Sequence, residues 1–341
     1  MSVLDATRHP VVLAPLAGGP STPELTAAAA DAGAFAFLAA GYLTSQVLRD
    51  RLGAVRSLTS RPIGVNLFAP GRAAKPEAVA EYADVLRSEA DHLGISLGDP
   101  RFDDDEWDEK LELLVEEPVE VVSFTFGCPP SAVIQRLRDS GTEIWVTVTT
   151  PQEAVAAEAA GADVLVAQGA EAGGHRGTWS DDDPAIAGYG VLSLIQLVRR
   201  SCSSPVVATG GIATGDAIRA VLSAGARAAA LGTSFLLCPE AGTTQVHRDA
   251  LAGSAPTALT RAFTGRLARG IRNRMLDVYS EMAPSAYPEI HYLTAPLRQA
   301  GRENGDADVV NLWAGQAYQL ARDLPAAELV QQLVATLARS P

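Results

Sequence analysis

Short apolar runs alternate with longer segments of helical periodicity along most of the chain, and this alternation predicts the fold. Val11–Ala17 (V-V-L-A-P-L-A) ends in Gly18-Gly19-Pro20 and reads as a buried first strand. Pro23 opens a helix through Asp31 with Gly33 as its stop, Ala34–Ala40 is a second strand, and Thr44 or Ser45 caps a helix to about Leu58. Pro62–Phe68 gives a third strand, Pro76–Ala90 a long helix, and Val119–Phe126 a fourth strand closed by G-C-P-P at 127–130. The acidic Asp99–Glu117 between them reads as a surface stretch with helix around Trp107–Leu114. Ser131–Asp139 is then helix, Glu143–Thr149 strand, and Pro151–Ala160 helix, with Pro151 in the first turn where a missing N–H costs nothing. Val164–Ala167 is the sixth strand, with its helix starting near Gly190. Pro205–Thr209 is the seventh, with helix Thr214–Ala224 behind it, and Ala228–Leu231 is the eighth.

Eight strands alternating with helices predict an α/β protein built as a (β/α)8 barrel. An open doubly wound sheet is disfavoured, because its first-turn G-x-G-x-x-G is missing. After Phe235 the rhythm breaks. Residues 240–305 carry short helices, T-G-R-L-A-R-G at 264–270 and P-S-A-Y-P-E-I at 284–290. They are expected to form a smaller inserted domain over the barrel mouth, with 1–239 and 306–341 making the barrel. Helix is expected again at Val309–Arg322 and Ala326–Ala338.

In such barrels the chemistry lies just past the strand C-termini. The sixth strand ends in Gln168, and a loop follows that reads G-A-E-A-G-G-H-R-G. Gly173 and Gly174 bare the backbone to a flat ligand and leave His175 at the rim. Alone, this is equally a tight turn with a solvated histidine; the neighbours decide. A-T-G-G-I-A-T-G-D-A at 208–217 and A-L-G-T-S-F at 230–235 follow the seventh and eighth strands, where an anion is often held on backbone N–H groups. Gly210, Gly211, Gly232 and Thr233 are small enough to present those amides, while Thr214 caps the next helix and Asp216 sits in its first turn. Asn66 and Gln168 carry amides that both donate and accept, which suits the pyrimidine edge of a flavin. Ala14-Pro15-Leu16-Ala17-Gly18 offers close backbone to such a ring. A planar ring on small residues with its phosphate on the last two strands describes FMN.

Charge and composition narrow the partners. The chain is 47% hydrophobic and 20% charged, the profile of a well-buried enzyme. Forty acids against 27 bases give a net charge of −13, so nucleic acid and anionic membranes are poor candidates. Three separated cysteines, with no C-x-x-C spacing, fit a reduced setting. The start, M-S-V-L-D-A-T-R-H-P, lacks the apolar core of a secretion signal, and a cytoplasmic monomer or homodimer is expected.

The motifs together resemble the nitronate monooxygenases, FMN-dependent (β/α)8 enzymes. The resemblance runs nearly end to end: V-L-A-P-L-A-G-G at 12–19, G-V-N-L-F at 64–68, A-Q-G-A-E-A-G-G-H-R-G at 167–177, the G-G-I loop, A-L-G-T at 230–233, T-R-A-F-T-G-R-L-A-R-G at 260–270 and L-W-A-G-Q at 312–316. It implies that Asn66, Gln168, Gly173, Gly211 and Ala230–Thr233 (Ala230, Leu231, Gly232, Thr233) hold FMN and that His175 is the active-site histidine. Leu16 stands where many relatives carry methionine, a swap that keeps apolar volume. The implied reaction is oxidation of an alkyl nitronate, or a nitroalkane, by O2 to a carbonyl compound and nitrite. A histidine near its ordinary pKa of about 6.5 would serve as base toward a nitroalkane, and a protonated one would hold the anion. Arg176, Trp313 and Gln316 are candidate lining residues, with a solvent-exposed rim charge an equal reading for Arg176. Tyr287 and Tyr292 either hang toward the mouth or pack, Cys128 reads as a small buried hydrophobe, and His9, His92, His247 and His291 as surface or packing residues. The alternatives are an NADH-dependent flavin reductase of the same superfamily acting on a quinone or enoyl thioester, a flavin-free barrel isomerase or lyase, and a non-catalytic ligand-binding barrel.

Overall fold

A computed structural model describes residues 2–181 and 188–338. Strands β1 (Val11–Leu13), β2 (Phe35–Ala39), β3 (Ile63–Phe68), β4 (Val121–Thr125), β5 (Glu143–Val148) and β6 (Val164–Gln168) follow in order. The two-residue β7 (Gly174–His175) precedes β8 (Val206–Thr209) and β9 (Ala228–Leu231), and β10 (Thr257–Thr260) and β11 (Ala268–Ile271) come after. β1–β6, β8 and β9 close into a parallel barrel, with β9 returning to β1 through Val12↔Ala230. This is the expected (β/α)8 architecture. The seventh and eighth barrel strands are β8 and β9.

Local chemistry starts the crossover helices where the chain leaves the barrel. Thr22, Thr44, Thr150 and Thr214 each cap a helix by accepting a backbone N–H three residues on. Pro23 and Pro151 occupy first turns.

The two-residue period of a strand then sorts the side chains. Leu13, Leu38, Val65, Val146 and Leu165 face the helices. Val12, Phe35, Phe37, Trp145, Val164 and Val207 fill the barrel floor, where the Phe37 and Trp145 ring centroids are 5.3 Å apart. The helix Val3–Ala6 closes that end: Val3 and Leu4 pack on the floor, and the Val3 N–H donates to Glu143 Oε2 at 2.9 Å. Farther along the same inward rows come Asn66, Ser123, Thr125, Thr147, Gln168 and Thr209. The barrel therefore has an apolar floor and a polar mouth.

Beyond the barrel, β10, β11 and β7 form a small antiparallel sheet in the order β10-β11-β7. A second apolar cluster unites Val79, Tyr82 and Leu86 of the helix Pro76–Leu93 with Phe263, Met275, Ile290, Leu293 and Leu297. The helix expected over Val309–Arg322 is not formed; single turns of 3-10 helix at Ala307–Val309 and Tyr318–Leu320 flank extended backbone. The Ile271 N–H donates to Leu312 O at 2.8 Å and the Ala314 N–H to Arg269 O at 3.3 Å, so pairing along β11 overrides the local helical pattern. The helix Ala326–Leu337 returns to pack beside the helices Gly215–Ser223 and Pro23–Asp31. Among the described residues no helix is long and apolar enough to cross a membrane.

Gly64 tests the floor packing. A Cβ there would lie 2.4 Å from Phe37 Cε1, a ring held between Phe35 and Trp145. Gly64→Ala is expected to destabilise the protein by about 1–3 kcal/mol. Urea unfolding measures it.

Candidate active site

The polar mouth opens into a cavity of about 480 Å3, a size typical of small-molecule and cofactor sites. Ala14, Pro15, Leu16, Asn66, Gln168, Gly173, Gly174, His175, Gly210, Gly211, Ala230, Gly232 and Thr233 all line it. Leu231 does not: its side chain lies in the layer packed on the helices, and its carbonyl accepts the Ala14 N–H at 2.9 Å. Trp313 lines the cavity as well, whereas Gln316 is exposed beside it and gives its N–H to Glu171 O at 3.0 Å.

The loop after β6 is held from both sides. Gln168 Nε2 donates to the His175 carbonyl at 3.1 Å, and Gln168 Oε1 accepts the Gly177 N–H at 2.8 Å. β7 pairs with β11 through Ala268↔His175 and Arg269↔Gly174. A Cβ on Gly173 would lie 2.4 Å from the Gly315 nitrogen, so only glycine lets the Leu312–Gln316 segment approach this loop. Gly211, at φ +69, turns the loop after β8 back toward the cavity. Asn66 Nδ2 donates to Ser123 Oγ at 2.9 Å and lies 3.0 Å from Thr125 Oγ1. Ser234 Oγ and Thr243 Oγ1 border the cavity, buried and with no hydrogen-bond partner.

The His175 ring is fixed by its Nε2, 2.9 Å from Thr264 Oγ1, and by the rings of Phe126, Tyr287 and Trp313 around it. Nδ1 makes no hydrogen bond among the described residues. Burial, then the charges of Arg266 and Arg298, push its pKa down to about 3. The imidazole is therefore neutral at physiological pH, not near its ordinary value as the sequence suggested.

A model of the family described as Nitronate monooxygenase matches residues 2–336. The chain belongs to that family. It is 41% identical to a nitronate monooxygenase of Pseudomonas aeruginosa, over 97% of this chain and 96% of the relative. Among solved structures it is similar to a nitroalkane oxidase from Streptomyces ansochromogenes, with TM-score 0.96 and 50% identity, covering 98% of this chain and 97% of that one. FabK from Thermotoga maritima is more distant, at TM-score 0.76 and 25% identity over 98% of this chain and 94% of that one. Like its family, this chain is an oxidoreductase.

In this nitronate monooxygenase-family chain the cavity wall also holds residues that the sequence did not single out. Tyr42, Thr264, His291, Arg298 and Arg302 line it. His291 and His247, expected at the surface or in packing, pack in the cavity wall: His291 stacks flat on Tyr42 at 4.2 Å, and His247 Nε2 lies 3.1 Å from Trp313 O. Tyr287 joins the same group through a hydroxyl contact of 3.1 Å with Tyr42. Tyr292 instead donates to Asp103 at 2.7 Å, with the Arg101 guanidinium over its ring. Arg176 is not a rim charge. It is 1% exposed, off the cavity, and donates to Gly169 O at 2.6 Å beneath the loop. Cys128 is half-buried on the main apolar core, and burial pushes its thiol up to about 11.

Burial lowers the pKa of His247 to about 4, against an ordinary value near 6.5. The folded state thus disfavours the proton that the unfolded chain takes up below pH 6.5. The associated stability is complete above that pH and is lost as pH falls toward the folded value. His247→Gln should therefore lose less stability than the parent between pH 7 and pH 5, by up to about 2 kcal/mol. Denaturant titrations at the two pH values check this.

Proposed function

We propose that this chain oxidises alkyl nitronates with FMN and O2, releasing a carbonyl compound and nitrite. The observation that carries the reading is a cavity with bared loop backbone at one end and, at the other, buried cations around a neutral histidine. The residues present fit FMN. Gly210, Gly211, Gly232 and Thr233 offer small-residue backbone for a phosphate near the N-terminus of the helix Gly215–Ser223, which Thr214 caps. Asn66 lines the cavity with its Oδ1 unbonded among the described residues and available to a flavin edge, while the Gln168 amide is used on His175 O and the Gly177 N–H. Ala14–Leu16 offers close backbone to the ring, and Ser234 and Thr243 carry unpartnered hydroxyls beside it. When bound, the flavin supplies the two-electron acceptor and the site of reaction with O2. On this reading residues 240–305 form the smaller domain that covers the mouth and brings Thr264, Arg266, His291 and Arg298 to the barrel.

The chain's own residues act on charge and placement. Arg266 and Arg298 oppose a proton on His175. Proton removal from a neutral nitroalkane would create an imidazolium in that positive field, so the pre-formed nitronate is the favoured substrate. His175 Nδ1 remains available as a lone pair or N–H toward the substrate, with Nε2 held by Thr264.

An aerobic nitrite assay with ethyl nitronate, run beside anaerobic mixing with NADH, tests the reading. Nitrite release without NADH is expected; rapid flavin bleaching by NADH with no nitrite would favour the reductase. His175→Ala should keep FMN while losing about 10²–10⁴-fold in kcat/KM with neutral nitroethane and less with ethyl nitronate. Equal losses on both would remove the base role.

A further inference from the structure

Arg298 is 5% exposed, lines the cavity, and has no carboxylate among its hydrogen-bond partners. Nε donates to Thr294 Oγ1 at 3.2 Å, and Nη2 to the His291 carbonyl at 2.6 Å, with His291 Nδ1 at 3.3 Å. Nη1 makes no hydrogen bond among the described residues, and the side chain lines the cavity. The flat stack of His291 on Tyr42, whose hydroxyl meets Tyr287, holds the guanidinium in place.

Among the described residues no carboxylate bonds to Arg298. His175 and His291 are pushed toward their neutral forms, and burial raises the Tyr42 and Tyr287 phenols. Arg302 and Arg266 add positive charge. The nearby Asp105 is taken by Lys110 at 2.8 Å and by the Tyr42 N–H at 2.8 Å. Asp181 is taken by Arg261 at 2.9 Å. A buried cation with an unused donor on a cavity wall is matched by an anionic ligand.

We propose that Arg298 binds the negative charge of the ionised substrate through Nη1 and so sets the preference for a nitronate over its neutral nitroalkane. The inference rests on the functional reading above and names the residue that discriminates charge. Nitrate, a planar anion of similar shape to the nitronate head, serves as the probe. In the FMN-loaded Arg298→Met variant, nitrate affinity by calorimetry should fall about tenfold or more. KM for ethyl nitronate should rise by a similar factor, and kcat/KM should fall more on ethyl nitronate than on neutral nitroethane. Unchanged nitrate affinity, or equal losses on the anionic and neutral substrates, would overturn the proposal. Should the Met variant not fold, guanidinium ¹⁵N resonances of the parent decide, assigned with Arg298→Lys. Arg298 must shift on nitrate titration, and shifts at Arg302 or Arg266 without Arg298 would overturn it. A parent that releases no nitrite defeats the functional reading instead, while its nitrate binding still reports on Arg298.

Discussion

The two-residue pairing of Gly174–His175 with β11 is the constraint on which the site depends. A loop leaving a barrel strand is ordinarily free to vary. Here its backbone is a strand of a second sheet, so His175 is fixed at once to the barrel, through Gln168, and to the segment beyond β9, through Ala268. Arg176 reinforces the joint from below by tying the guanidinium to Gly169 O. Arg266 does the same from above, donating to the carbonyls of Arg176 and Thr178. Thr264, two residues before Arg266, then fixes the His175 ring.

That joint also brings charge to the mouth. Arg266 is buried over the Phe126 ring, 3.9 Å from its centroid, and bonded to carbonyls rather than carboxylates. Arg298 is buried in the same manner. Removing such cations from water is costly unless something compensates. The fold supplies carbonyls to both and an aromatic face to Arg266, which also has the charges of Asp181 and Glu153 nearby. Burial keeps His175 neutral, and the same cations add to it. Placement and electrostatics are two consequences of a single arrangement.

How much of this was legible along the chain depended on range. Barrel strands and helix starts are local: Pro23, Pro151 and Thr214 announced their helices, and Asn66 and Gln168 stood out as polar residues at the C-terminal ends of apolar strands. The same period explains Leu231, whose inward neighbours Ala230 and Gly232 leave it facing the helices. What stayed hidden was non-local. Val309–Arg322 has helical composition, yet β11 recruits its backbone into a ladder. Tyr42 and His291 stack across the molecule in a pairing that no spacing announces, and along the chain His291 is one of several scattered histidines. Arg176 carried no sign of burial, because its partners are backbone carbonyls.

Burial, with the neighbouring cations, holds His175 uncharged in the cavity. A ¹⁵N NMR titration of the His175 imidazole from pH 8 to pH 5 tests it most directly. Neutral-ring shifts throughout are predicted; a midpoint near 6.5 or above would show that burial and the neighbouring cations do not govern this histidine.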